Sequence, residues 1–85
     1  MLVYKIYNER FCYIGATNNF NRRIAQHKYD FKTKRKPYTS HIVMEDPEYK
    51  YEILEDNILK EDIVEKELYY INNYPNVVNI RGKIL

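Results

Sequence analysis

The chain of 85 residues has no tryptophan, one cysteine, two glycines and three prolines. With Cys12 alone, an internal disulfide and a cysteine-built zinc cluster are excluded, so packing has to hold the fold. Cys12 itself reads as a small buried apolar residue. No run approaches the roughly eighteen apolar residues of a membrane span. The N-terminus also has no basic, then apolar leader, which predicts an intracellular protein, cytoplasmic or nuclear, with no membrane partner. There is no Gly/Ser linker, repeat or low-complexity stretch, so the expected organisation is one small domain over residues 1–85.

What is present is charge and tyrosine. Up to Ser40 there are nine Lys and Arg against Glu9 and Asp30, whereas the remainder carries five basic and ten acidic residues. Such polarity behind a net charge of +2 suggests one face made for a polyanion, the competing reading being a merely solvated basic loop at Lys32 to Lys36. Most of the ten tyrosines should lie at the core's edge with a wet hydroxyl, leaving a few for function.

Leu2 to Tyr7 is β-branched and aromatic, breaks at Asn8-Glu9, and the same character resumes from Arg10 to Ala16, which predicts a β-hairpin. Thr17 to Asn19 offer caps to a helix from about Asn19 to Asp30, with Phe20, Ile24 and Phe31 on one stripe. A short helix capped by Thr39 or Ser40 should run through His41-Ile42-Val43-Met44 before Pro47 stops it, followed by a third strand over Tyr49 to Leu54. Lys60 to Asn73 is strongly helical and stops at Tyr74-Pro75, leaving Asn76 to Ile80 as an extended tail. The expected class is α/β (α+β): a small, mainly antiparallel three-stranded sheet flanked by helices in the order β-β-α-(α)-β-α.

Turning the last helix by about 100° per residue from Ile63 places Glu67 at about 40°, Ile71 at about 80°, Val64 at about 100° and Leu68 at about 140°. Glu67 therefore falls inside the apolar stripe. It needs a cation or hydrogen-bond donors, because stranding a buried charge costs on the order of 3–5 kcal/mol. A structural ion pair, or a carboxylate reaching water at the stripe's edge, would satisfy it as well as a functional site. Counted in the same way from Phe20 on the first helix, Arg23 falls at about 300° and His27 at about 340°, flanking the stripe, while Arg22 falls at about 200°, toward solvent.

If Asn8-Glu9 is a two-residue loop, position i pairs with 17 − i and Tyr4 lies opposite Tyr13 on one face, a register that a four-residue loop would keep. A three-residue loop would send the two hydroxyls to opposite faces. Gly15 allows close approach to the backbone, so this corner could form the floor of a phosphate site.

Tyr4 on a first strand, Tyr13-Ile14-Gly15 on a second, Arg23 and His27 as Arg-x-x-x-His on a helix, Glu67 on a later helix and Val78-Asn79-Ile80 near the end together resemble the GIY-YIG nuclease domain. The likeness spans nearly the whole chain in order and spacing. One departure is plain: Leu2-Val3-Tyr4 stands where that family reads Gly-Ile-Tyr, and Leu2, projecting near Gly15, would reshape the sheet edge.

The resemblance implies a divalent-metal-dependent DNA endonuclease that hydrolyses phosphodiester bonds. It implies Glu67 as the main protein ligand of one Mg²⁺ or Mn²⁺, an ion that takes few protein oxygens, and Arg23 as a fork on the scissile phosphate. Tyr4 would be the general base or orient the water, with Tyr13 bonding the phosphate or water beside it. A phenol near pKa 10 needs a neighbouring positive charge for that role, and His27 could take the proton instead. Asn79 would hold a metal-bound water or the phosphate, its plainer reading being a turn-capping amide.

Lys32, Lys34, Arg35 and Lys36 would then lie along the DNA backbone with Gly15 near a phosphate, giving low intrinsic sequence specificity and steep salt dependence. Target choice would fall to a separate DNA-binding partner or to a homodimer. The alternatives are a non-cleaving nucleic-acid-binding module of the same fold and a purely structural domain. Glu67 weighs against the first, because a binder has no use for an anion beside a phosphate.

Overall fold

The computed structural model describes residues 1–34 and 39–79. The elements are β1 (Leu2–Tyr7), β2 (Cys12–Thr17), α1 (Phe20–Thr33), α2 (Ser40–Met44), β3 (Lys50–Glu55) and α3 (Ile63–Asn73), the last preceded by a 3-10 turn at Lys60–Asp62. The three strands are antiparallel in the order β2-β1-β3. This is the expected architecture.

β1 is central and buried on both faces, which explains its near-continuous apolar run. Leu2, Tyr4 and Ile6 pack with Ile24 of α1 and with Val43 and Met44 of α2. On the opposite face Val3, Cys12 and Ile14 pack with Ile63 and Ile71 of α3. The sheet is thus a partition with α1 and α2 on one side and α3 on the other.

The hairpin register differs from the expectation. Tyr4 pairs with Gly15, Ile6 with Tyr13 and Leu2 with Thr17. Asn8 is the reason: its Oδ1 accepts the N–H groups of Arg10 and Phe11, both at 2.7 Å, and its own N–H donates to the Phe11 carbonyl at 3.0 Å. This Asx turn makes a four-residue loop of Asn8 to Phe11, which delays the second strand to Cys12. The shift is by two residues, so Tyr4 and Tyr13 stay on one face, as diagonal neighbours with ring centroids 6.4 Å apart. Leu2 consequently pairs with Thr17 and is a diagonal neighbour of Gly15, not the residue directly opposite it.

The C-terminal tail runs beside β2. Cys12 forms a parallel bridge with Val77, its N–H donating to the Asn76 carbonyl and its carbonyl accepting from Val78. On α3 the buried stripe is centred nearer Glu67 than expected: Ile63 and Ile71 are buried, whereas Val64 is 66% and Leu68 40% exposed. Those two sit on the far shoulder of the predicted arc, where the partition leaves them nothing to pack against.

Candidate active site

The site is built around the contact between Tyr4 and Gly15. A Cβ at Gly15 would collide with Cζ and Oη of the Tyr4 ring and lie 2.8 Å from its Cε1. Glycine therefore leaves a notch in β2, and the Tyr4 ring lies across it. The close approach that the sequence suggested for a phosphate is made here by a phenol. Phe20 and His27 of α1 enclose the ring, with centroids 5.8 and 6.0 Å away, and Tyr4 is 0% exposed.

Three charged or polar groups act on that hydroxyl. His27 Nε2 lies 2.8 Å from Tyr4 Oη. Arg23 acts on the hydroxyl as a charge and as a hydrogen-bond donor from α1, and Glu67 acts on it from α3 across the sheet. Burial is the strongest influence on Tyr4, reinforced by Tyr13, and it pushes the phenol well above its ordinary pKa despite Arg23. The expected phenolate is therefore not the resting form: desolvation outweighs the neighbouring guanidinium.

His27 is 3% exposed, with Ser40 Oγ 2.9 Å from Nδ1. Burial, then Arg23 and His41, push its pKa down to about 4, with Asp30 opposing. The imidazole is neutral at neutral pH and can accept a proton. Glu67 is half-buried, with its pKa raised by burial and partly restored by Arg23. Its carboxylate is in no ion pair among the described residues.

Beside these groups lies a cleft of about 390 Å³ lined by Tyr13, Asn19, Arg22, Arg23, His27 and Asp30, among others. Arg22, expected to point to solvent, lines the cleft too, although Arg23 alone of the pair acts on Tyr4, His27 and Glu67. The helix that carries them starts at Asn19, whose Oδ1 accepts the Arg22 N–H at 3.1 Å, while Thr17 Oγ1 accepts that of Asn19. This cap fixes where Arg22 and Arg23 emerge relative to β2.

Asn79 stands next to the notch in a different capacity from the one expected. Its Oδ1 accepts the Ile14 N–H at 2.8 Å and its Nδ2 donates to the Ile14 carbonyl at 2.6 Å. The side-chain amide imitates a strand peptide and clips the tail to β2, one residue before Gly15. Lys32 and Lys34 are at the end of α1, Lys34 exposed and closing the helix in a left-handed conformation. Arg35 and Lys36 lie outside the described residues. His41, expected at the surface, is half-buried against the Phe31 ring.

Sequence reasoning missed Ser40 as the partner of His27, and it missed Asp30. The helical repeat that located Arg23 and His27 also puts Asp30 on the same shoulder, at about 280° from Phe20, so periodicity could have found it. Asp30 is buried, with Gln26 Nε2 donating to Oδ1 at 3.1 Å. Nothing in the sequence pairs Ser40 with His27, because that contact joins two helices.

The family model described as the GIY-YIG catalytic domain matches residues 1–79. The chain belongs to the GIY-YIG family. Membership implies nuclease-type activity, and the observed three-stranded sheet with its helices agrees with a GIY-YIG domain. No curated protein and no solved structure matches significantly.

Among the described residues no three His, Cys, Asp or Glu side chains cluster to hold a metal. The carboxylates nearest these groups are Glu67, half-buried, and Asp30, on the cleft wall, and an ion held by one of them would otherwise be ligated by water. That donor set fits a hard divalent cation that keeps most of its hydration. No helix among the described residues is long and apolar enough to cross a membrane.

Proposed function

We propose that the protein is a divalent-metal-dependent DNA endonuclease of low intrinsic sequence specificity. The observation that carries this reading is that Arg23 from α1 and Glu67 from α3 both act electrostatically on the Tyr4 hydroxyl, whose ring lies across the Gly15 notch. A structural domain gains nothing from a half-buried, unbridged carboxylate there. A pure DNA binder gains nothing from an anion beside its phosphate-binding arginine.

Each residue then has a task. Glu67 holds Mg²⁺ or Mn²⁺, which when bound supplies Lewis acidity on the phosphate and charge for the leaving oxygen. The Arg23 guanidinium forks onto the scissile phosphate. Moving there from the Tyr4 hydroxyl, it opens a sealed phenol to the attacking water. Tyr13, on the cleft wall, hydrogen-bonds the phosphate or that water.

Tyr4 cannot act as a stored phenolate, so it works with His27. The water gives its proton to Tyr4 Oη as the phenol gives its own to the neutral imidazole, a hydrogen-bond length away. Lys32 and Lys34, at the end of α1, hold the flanking backbone without reading bases.

The test is nicking of supercoiled plasmid with Mg²⁺ and with EDTA. Nicking that requires the metal is expected. Cutting in EDTA overturns the metal's role, and tight, salt-sensitive DNA binding without any cutting favours the non-cleaving module.

A further inference from the structure

Ser40 opens α2 and is 0% exposed, in a helix otherwise anchored by Val43 and Met44. Hiding a hydroxyl among apolar neighbours is unfavourable unless it bonds something. What it bonds is Nδ1 of His27, at 2.9 Å.

A neutral imidazole carries one proton, so one ring nitrogen donates and the other accepts. A guanidinium only donates. Arg23, which acts on Tyr4 Oη, can only donate to it, so the phenol's own O–H is left to His27 Nε2, 2.8 Å away. Nε2 is then the acceptor, Nδ1 carries the proton, and Ser40 Oγ receives it.

We propose that Ser40 is a positioning residue: by accepting the Nδ1 proton it holds His27 in the tautomer whose Nε2 lone pair faces the Tyr4 hydroxyl. The opposite tautomer would present an N–H to Tyr4 and leave the phenol proton no acceptor. In the reaction the Tyr4 O–H bond breaks and an Nε2–H bond forms, while the phenol oxygen takes the proton of the attacking water. The imidazolium keeps its Nδ1–H on Ser40.

The other groups facing His27 are Arg23 and Asp30 of α1, His41 of α2, and the Tyr4 and Tyr13 phenols of the sheet. The catalytic consequence rests on the nuclease reading above. The tautomer does not.

Nitrogen-15 spectra of His27 in the full chain at neutral pH test it, in wild type, Ser40→Ala and Ser40→Thr. The expected wild type has its proton on Nδ1 and a bare Nε2. Ser40→Ala gives a tautomer mixture, and Ser40→Thr keeps the wild-type pattern. A wild-type proton on Nε2 overturns the proposal whatever the activity.

In plasmid nicking, Ser40→Ala is expected to lower kcat by about 10- to 100-fold, the usual effect of losing a partner that orients an imidazole, with KM unchanged. Folded Ser40→Ala protein that nicks at the wild-type rate overturns the positioning role. A wild type that shows the expected tautomer and never nicks overturns the nuclease reading instead.

Discussion

Gly15→Ala is a one-methyl change whose sign the structure decides. In a strand interior, replacing glycine with alanine ordinarily stabilises by up to about 1 kcal/mol, because the unfolded chain loses freedom. Here the new Cβ would sit 2.8 Å from Tyr4 Cε1 and closer still to Cζ and Oη. The ring would have to retreat by about an ångström to reach ordinary contact. It has nowhere to go, being walled in by Phe20, His27 and Tyr13.

Overpacking of this kind costs about 1–3 kcal/mol, so the clash outweighs the entropic gain. For a domain of this size that corresponds to a fall in Tm of roughly 4–8 °C per kcal/mol. Calorimetry of wild type, Gly15→Ala, Tyr4→Leu and the double variant measures it. Alanine should destabilise the wild-type background and cost much less once the Tyr4 ring is gone. Equal effects of Gly15→Ala in both backgrounds would refute the notch.

Acid should unfold the protein partly through His27. Its folded pKa of about 4 lies below the ordinary 6.5, so the unfolded chain binds the proton first and stability is lost as pH falls from about 6.5 to 4, by about 3 kcal/mol in all. Denaturant melts of wild type and His27→Gln across that range should converge, and parallel curves would contradict the assignment. Asn79→Ala leaves the Ile14 N–H and carbonyl without partners and should cost about 1–3 kcal/mol, with faster exchange of the Ile14 amide. Unchanged exchange there would mean that the tail is held by other contacts. Binding of the wild type to short duplexes in EDTA should weaken steeply with salt, with a shallower slope for the Lys32→Ala, Lys34→Ala double variant.

Much of this was legible in the sequence, for identifiable reasons. Period-two alternation in Leu2 to Tyr7 and the helical repeat from Ile63 to Ile71 report which face a residue takes, and that was enough to bring Tyr4, Tyr13, Arg23, His27 and Glu67 to one region. Glu67 was correctly turned inward even though Val64 and Leu68 were not. The register was not legible, because it depends on how one Asn8 side chain folds its turn. Nor was the sealing of Tyr4, since alternation names a face without saying what covers it. Asn79 and Ser40 share that difficulty: each acts on a residue distant in sequence, Ile14 and His27, through a bond that only the assembled sheet and helices create.

In the proposed mechanism Glu67 is present for chemistry and not for stability. Burial raises its pKa, so its ionised form opposes folding at neutral pH, and Glu67→Gln should be at least as stable as wild type. The most direct measurement is Mg²⁺-dependent plasmid nicking by Glu67→Gln protein whose melting temperature has been recorded alongside. The expected result is an intact, fully folded variant that no longer cuts. A variant that cuts as fast as wild type, or that loses cutting only because it no longer folds, would contradict the account.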